Sequence, residues 1–360
     1  MATARVLSLN VFMRPPGIAG RGGDHKDLRL RFLKQKIADY DIVCLQELFV
    51  GGSGRQPDLV RYATQCGLAH HAGSVYPSLW SRQLMDGGLL ILSRYPIVRH
   101  DQWVFTQGRG SDGICAKGVV YAQLQVDASS TLHVFTTHTQ AGEDEAATAI
   151  RMHQLRELAA FVHATCASVV DDPILVAGDF NLDARHDPIF SPSCHAPRFQ
   201  RCKESAMYTA LCDMLEQRRW TLVDALPQHS VTNGNGHGCL RHTMTDEDVD
   251  RTGKCIDYIF LLQSPTCPRR VAIASAAVDP CMISDSQDGR WPFSHLSDHW
   301  GLVATLQFPA SSTLNTATAV SMSVHQAYPQ PRAWLLKAAS VLLLLGGACL
   351  CTATLAARLA

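Results

Sequence analysis

The sequence has no excess of charge of either sign. Lysine and arginine together number 32, and aspartate and glutamate together also number 32, so the formal net charge is zero. A protein that follows a nucleic-acid backbone usually carries a basic excess, because neutralising phosphate charge supplies much of its affinity. The charge balance therefore argues against a nucleic-acid partner, although it leaves room for a local basic patch.

The N-terminus lacks the basic and then apolar pattern of a secretion signal. The 13 cysteines are scattered and odd in number, so reduced thiols are expected. One group of potential zinc ligands matches no common zinc spacing: His237, Cys239, His242 and Cys255. A surface loop is favoured over a zinc site for this group.

Hydrophobic residues make up 46% of the chain and charged residues 18%, which is typical of a folded globular protein. Short apolar runs bounded by polar or turn residues predict strands at residues 5–11, 42–46, 88–92, 118–125, 132–137, 174–178, 221–225, 255–262 and 301–308. Helices are predicted at residues 26–38, 58–66, 147–164 and 206–219. Repeated strands with helices between them predict an α/β fold, a sandwich of two packed β-sheets flanked by helices.

Composition divides the chain into three parts. Residues 1–308 hold all of these strands and helices and are expected to form one domain. Residues 309–332 are rich in serine, threonine, alanine and proline and predict a flexible linker. Residues 333–360 contain a long apolar stretch and are predicted to be a transmembrane tail.

The apolar stretch of the tail covers residues 338–357 without a charge. A helix of that length spans about 30 Å, the thickness of the bilayer hydrocarbon core. Trp334, Lys337 and Arg358 flank it as interfacial anchors would. A buried core helix and a removed lipid-anchor signal are the alternatives. The terminal position and the missing secretion signal favour a single-pass C-terminal anchor in a membrane, with residues 1–308 facing the cytosol.

Polar residues follow many of the predicted strands. Each alone has an ordinary structural explanation as a turn former, a cap or a paired carboxylate. Together, in order and behind separate apolar runs, they are hard to attribute to coincidence, because strand ends can bring side chains together at one rim of a sandwich. These residues are Asn10, Glu47, His138, Asp179, Asn181, Asp257, Asp298 and His299.

The segments that carry these residues resemble the endonuclease/exonuclease/phosphatase superfamily, whose fold is DNase I-like. The matching segments, in order, are LSLN, LQE, TTHTQ, AGDFN, IDYIF and SDH. Three longer segments are most similar to the neutral sphingomyelinase branch: KGVVYAQL, HVFTTHTQA and RMHQLRELAAFV. The resemblance covers essentially residues 5–308.

The resemblance implies a magnesium site at Glu47 and Asn10, with Asp298 on the metal side. Mg²⁺ prefers oxygen ligands and keeps several waters, so few protein ligands suffice, and Mn²⁺ is expected to substitute. Asp179 and Asn181 are implied to orient the attacking water and hold a phosphate oxygen.

His299 is implied to be the general base. Adjacent strand residues face opposite ways, so Asp298 is poorly placed to orient it and Asp257 is the expected partner. His138 is then expected to donate to the phosphate or the leaving group.

Asp112 and Lys117 resemble an aspartate–lysine pair in a loop that gates eukaryotic neutral sphingomyelinases. The Walker phosphate-binding pattern is not met, because Gly118 follows the lysine. An exposed ion pair, or no contact, is the alternative. Trp291 and Phe293 are candidates for lipid contact, with packing beneath the active-site rim as the favoured alternative.

The expected function is a Mg²⁺-dependent phospholipase C of the neutral sphingomyelinase type. Its substrate is a membrane phospholipid, cleaved to ceramide and a phosphorylated headgroup. An inositol polyphosphate phosphatase or a nuclease of the same superfamily would use nearly the same residues. A non-catalytic membrane adaptor on the same fold is the remaining alternative.

Overall fold

The apolar runs of the sequence form strands of two six-stranded sheets in the computed structural model of the chain. The structure describes residues 2–15, 24–78, 80–169, 171–191, 194–217, 219–227, 232, 253–267, 270–283 and 291–309. Each run except that at residues 221–225 is buried along most of its length, as expected for strands covered on both faces.

The strands of the first sheet are β1 (Thr3–Met13), β2 (Ile42–Leu48), β3 (His70–Gly73), β4 (Leu90–Ser93), β13 (Ala272–Asp279) and β14 (Gly301–Gln307). They lie in the order β13-β14-β1-β2-β4-β3. The neighbours β1 and β2 run parallel, so their carboxyl ends reach the same edge, and the other pairs are antiparallel.

The strands of the second sheet are β5 (Ile97–Val104), β6 (Gly118–Asp127), β7 (Ser130–His138), β8 (Ile174–Asp179), β11 (Thr221–Asp224) and β12 (Asp257–Gln263). They lie in the order β11-β12-β8-β7-β6-β5. Here β7 and β8 run parallel and β12 pairs antiparallel with β8. A separate two-stranded hairpin joins β9 (His186–Ser191) to β10 (Cys194–Arg201).

Three hydrophobic layers hold the two sheets and the helices together. The layer between the sheets includes Val6 and Ile42 from the first sheet and Val134 and Leu175 from the second. The helices are α1 (Lys26–Ile37), α2 (Arg55–Gln65), α3 (Gly110–Ile114), α4 (Glu145–Thr165) and α5 (Ala206–Glu216). Side chains of α1 and α2 pack on the outer face of the first sheet, while those of α4 and α5 pack on the second. The predicted sandwich of two packed sheets flanked by helices is confirmed.

The membrane prediction requires a correction. Among the residues that the structure describes, no helix is long and apolar enough to cross a bilayer. The single-pass C-terminal anchor, and the cytosol-facing orientation derived from it, are therefore not retained. Residues 338–357, on which that prediction rested, lie outside the described residues, as do residues 310–332 of the predicted linker.

Candidate active site

Strand register brings three of the predicted site residues into one row on the second sheet. His138 at the end of β7 lies opposite Asp179 at the end of β8. On the other side of β8, Asp257 at the start of β12 also lies opposite Asp179. All three side chains are buried. The row follows directly from the apolar runs that end in these residues.

The parallel strands β1 and β2 carry Asn10 and Glu47 to the matching rim of the first sheet. Asn10 Nδ2 donates to Glu47 Oε1 at 3.2 Å and to Asp179 Oδ2 at 3.0 Å. One buried amide therefore links the polar ends of both sheets. Glu47 and Asn181 have left-handed backbone conformations, with φ of 58° and 48°. Such conformations in non-glycine residues cost free energy and concentrate at functional sites.

His299 lies against the carboxylates of the second sheet. Its Nδ1 is 2.9 Å from Asp257 Oδ2, within hydrogen-bond distance, and its Nε2 is 3.6 Å from Asp179 Oδ2. Burial lowers the pKa of His299, but the carboxylates of Asp257 and Asp179 outweigh burial and raise it well above the ordinary value. The geometry places Asp257, not Asp298, beside the imidazole.

His138 has the opposite electrostatic environment. Its Nε2 is 3.0 Å from Lys117 Nζ and 3.4 Å from Asp179 Oδ2. Burial, the Lys117 ammonium and His299 together hold the pKa of His138 well below its ordinary value. The site therefore contains one histidine that favours its protonated form and one that stays neutral.

The environment of Glu47 fits a bound cation. Burial and the nearby carboxylate of Asp298 raise the pKa of Glu47 to about 7. Its Oε2 is buried and has no hydrogen-bond partner among the described residues. Burial also raises the pKa of Asp298. Glu47 and Asp298 are half-buried carboxylates, the charge of Asp298 disfavours the charge of Glu47, and Glu47 keeps an oxygen without a hydrogen-bond partner. This is the kind of donor set that a divalent metal would stabilise.

A second group of possible metal ligands consists of Asp179, Asp257 and His299. One ligand atom from each lies within 4.8 Å of the others, which is compatible with a divalent metal. However, the short contact between His299 Nδ1 and Asp257 is already a hydrogen bond. The oxygen-rich surroundings of Glu47 therefore fit a hard cation better than the imidazole-containing group does.

The predicted gating pair is in direct contact. Lys117 Nζ lies 3.0 Å from Asp112 Oδ2 and is almost fully buried. The same Asp112 oxygen accepts from Gln140 Nε2 at 3.1 Å and from the Ala141 backbone N–H at 2.7 Å. The exposed ion pair considered as an alternative is thus excluded, and the pair joins α3 to the loop that follows His138.

The sequence did not single out Ser297 or Arg29. Ser297 Oγ donates to the Asn10 carbonyl at 2.6 Å and so ties the His299 segment to β1. Arg29 is fully buried, and its Nη1 donates to the carbonyls of His295 and Leu296 at 3.0 and 2.6 Å. Ser297 lies inside the SDH segment, so the sequence could have identified it as a candidate. Arg29 lies in a polar helix sequence that gives no such signal.

The lipid-contact prediction for Phe293 is corrected by its burial. The side chain has no exposed surface and packs edge-on to Phe32 and beneath the Arg29 guanidinium. Trp291 is half-buried with its ring edge-on to Phe32. Of the zinc candidates, Cys255 is buried, and His237, Cys239 and His242 lie outside the described residues.

Comparisons with known proteins identify the family of the chain. The model of the endonuclease/exonuclease/phosphatase family matches residues 7–299. A sphingomyelinase of Dictyostelium discoideum is 28% identical over 350 residues, covering 76% of this chain and 73% of that protein.

Two solved structures are similar in fold. Sphingomyelinase C of Streptomyces griseocarneus has a TM-score of 0.59 at 22% identity, covering 85% of this chain and 99% of the other. A beta toxin variant of Staphylococcus aureus with bound magnesium ions has a TM-score of 0.58 at 18% identity, covering 84% and 99%. The chain is a phosphodiester-cleaving hydrolase that belongs to the endonuclease/exonuclease/phosphatase family, and it is similar to sphingomyelinases.

Proposed function

We propose that the chain is a Mg²⁺-dependent sphingomyelinase-type phospholipase C that cleaves a sphingophospholipid to ceramide and a phosphorylated headgroup. The observation that carries the proposal is that the Asp257–His299 pair is connected to Glu47, which has an oxygen without a hydrogen-bond partner, through the neighbouring Asp179 and Asn10. The likeness to sphingomyelinases supports the substrate class, and the magnesium-containing relative supports the metal.

His299 is proposed to act as the general base through Nε2, because Asp257 occupies Nδ1. Nε2 and Asp179 Oδ2 are 3.6 Å apart, so one water that lies beside them could contact both atoms. That water would attack phosphorus and pass a proton to Nε2. The bond from phosphorus to the ceramide oxygen breaks, and the departing oxygen takes up a proton from solvent water.

Glu47, Asn10 and Asp298 are proposed to hold the metal. Mg²⁺ bound there would polarise the phosphoryl group and offset negative charge on the leaving oxygen. Asn10 positions the Glu47 and Asp179 carboxylates relative to each other through its two hydrogen bonds. Asn181 is proposed to contact a phosphate oxygen, and its Nδ2 donates to the Thr139 carbonyl at 3.2 Å.

The test is a substrate panel with the purified full chain: sphingomyelin, inositol phosphoceramide, phosphatidylcholine, lysophosphatidylcholine, an inositol polyphosphate and a DNA duplex. We expect release of phosphorylated headgroup from a sphingophospholipid. Activity should be lost in chelator and restored by Mg²⁺ or Mn²⁺ but not by Ca²⁺, which prefers more ligands at longer distances. Cleavage of DNA or of the inositol polyphosphate alone would assign the chain to another branch of the family.

Glu47→Gln is the matched variant for the metal site. It should lower the rate by several orders of magnitude because it removes a charged metal ligand, while the melting temperature changes little. Glu157→Gln makes the same chemical change in a carboxylate of α4 that accepts hydrogen bonds from Thr106, and it should retain activity. Full activity of Glu47→Gln, or of the wild type in chelator, would contradict the proposed site.

A further inference from the structure

Lys117 has three acceptors around its ammonium group. Nζ is 3.0 Å from Asp112 Oδ2, 2.8 Å from the Thr139 carbonyl oxygen and 3.0 Å from His138 Nε2. The side chain is 4% exposed, so water competes little for these contacts. An ammonium group has three donor protons and no acceptor, so the three contacts account for all of its protons.

This geometry fixes the protonation of His138. Because Lys117 can only donate, His138 Nε2 must be the acceptor and carries no proton. A neutral imidazole without a proton on Nε2 has its proton on Nδ1. Asp179 Oδ2 is also near Nε2, at 3.4 Å, but an acceptor at that distance would need the opposite tautomer. The shorter contact and the buried positive charge favour the lysine.

The Nδ1 atom of His138 is a buried polar atom that meets no hydrogen-bond partner among the described residues. Buried donors in proteins are nearly always satisfied by protein, water or ligand. The Nδ1–H group would therefore be satisfied by a bound water or by a ligand that reaches it.

We propose that Lys117 is a positioning residue that holds His138 as the neutral Nδ1–H tautomer, so that Nε2, the ring nitrogen beside Asp179, has no proton to deliver to the leaving group as a general acid. The consequence for the leaving group rests on the proposed function, whereas the tautomer rests on the contacts alone. Asp112 has its own part, because the oxygen that accepts from Lys117 also accepts from Gln140 and Ala141.

The tautomer can be measured directly in the full chain labelled with ¹⁵N-histidine. Long-range ¹H–¹⁵N spectra distinguish a protonated from an unprotonated ring nitrogen, and His138→Gln identifies the His138 signals by their absence. We expect Nδ1 to be protonated and Nε2 to be unprotonated in the wild type. A wild-type spectrum with a proton on Nε2 would overturn the proposal without the need for a Lys117 variant.

Lys117→Met tests the cause of the tautomer. Without the donor, Nε2 should take the proton and turn to Asp179, and kcat should fall roughly 10- to 100-fold with a smaller change in KM. Lys117→Arg keeps a donor and should restore much of the Nδ1–H signal. Lys34→Met, which removes a lysine paired with Asp58 on the surface, should change neither spectrum nor rate. An unchanged His138 spectrum in Lys117→Met would contradict the proposal.

The outcomes separate this inference from the proposed function. A Nδ1–H spectrum together with no cleavage of any sphingophospholipid would reject the proposed function and leave the role of Lys117 standing. Cleavage of a sphingophospholipid together with a proton on Nε2 would support the proposed function and reject the role of Lys117.

Discussion

Two histidines that lie near the same carboxylate have opposite pKa shifts. Asp179 Oδ2 is 3.4 Å from His138 and 3.6 Å from His299. The difference lies in their other neighbours, since Lys117 is next to His138 and Asp257 is next to His299. Groups whose pKa values are pushed apart in one site are suited to different chemical roles. Here the protonatable histidine is the one that faces the proposed water.

Asp257→Asn is expected to shift the pH–rate profile to lower pH. The Asp257 carboxylate raises the pKa of His299 by stabilising the imidazolium. A general base works in its unprotonated form, so the rate rises as pH increases through that pKa. Removing the carboxylate lowers the pKa and should move the acidic limb of the profile to lower pH, with a lower kcat. The measurement is rate against pH at saturating Mg²⁺.

Asp298→Asn is the paired variant for that experiment. We propose that Asp298 acts on the metal side, since its charge raises the pKa of Glu47. Asp298→Asn should weaken the apparent affinity for Mg²⁺ and leave the acidic limb of the pH–rate profile nearly in place. If Asp298→Asn moves the limb and Asp257→Asn does not, the two roles are reversed.

The sequence predicted which residues meet at the site better than how they meet. Asn10, Glu47 and Asp179 were identified because each ends an apolar run, and register then places Asn10 opposite Gln46, next to Glu47, and Asp179 opposite His138. The contact of Lys117 with His138 depends on side-chain directions across two strands, which no local pattern encodes. The burial of Phe293 could not be predicted from the neighbouring sequence either, because Phe293 packs against Arg29, which lies in a distant part of the chain.

At the scale of the elements, the row formed by His138, Asp179 and Asp257 requires strands β7 and β8 to approach closely just before Asp179. Gly178 lies opposite Thr137 in that pair and has a φ of 147°. A Cβ atom at this position would lie 2.2 Å from the Thr137 carbonyl oxygen, which is a clash with backbone. The absence of a side chain thus allows the register that places Asp179 beside His138.

Gly178→Ala is therefore expected to lower both stability and activity. The strained backbone alone costs about 1–3 kcal/mol, and the clash with the β7 backbone adds to that cost. Thermal or urea unfolding measures the loss of free energy, and the rate on the best substrate measures the displacement of Asp179.

Gly54→Ala provides the control for this substitution. Gly54 precedes α2 with a φ of −83°, and a Cβ there would meet nothing within 4 Å. Gly54→Ala should leave the stability unchanged or raise it by up to about 1 kcal/mol. Equal stability of the two variants would show that β7 and β8 can separate without cost.

The strands that the sequence missed lie at the edges of the two large sheets or outside them. Strands β5 and β13 have mostly exposed or half-exposed residues, so neither shows a buried apolar run. Strand β3 is four residues long, and β9 and β10 form a hairpin outside both sheets. Edge strands are held by backbone pairing with an inner neighbour, and hydrophobic periodicity does not report that pairing.

At the scale of the whole molecule, the two ends of the described chain close the first sheet together. Strand β14 lies between β13 and β1, and the Phe308 backbone N–H donates to the Ala2 carbonyl at 2.9 Å. Leu302, Leu306 and Phe308 are buried in the layer between the sheets. We propose that residues 1–308 constitute the catalytic domain, since this sheet is complete only when β14 is present.

A pair of truncations tests that boundary. A chain that ends at residue 309 should unfold cooperatively, with a melting temperature close to that of the full chain, and should cleave substrate in detergent micelles. A chain that ends at residue 300 loses three large buried side chains, each worth about 1.5–3 kcal/mol. Their sum approaches the whole stability of a typical domain, about 5–15 kcal/mol, so this chain should not fold. Circular dichroism during heating and the micelle assay measure both outcomes. Loss of folding in the longer of the two chains would mean that residues beyond 309 contribute to the domain, and the boundary would have to move toward the C-terminus.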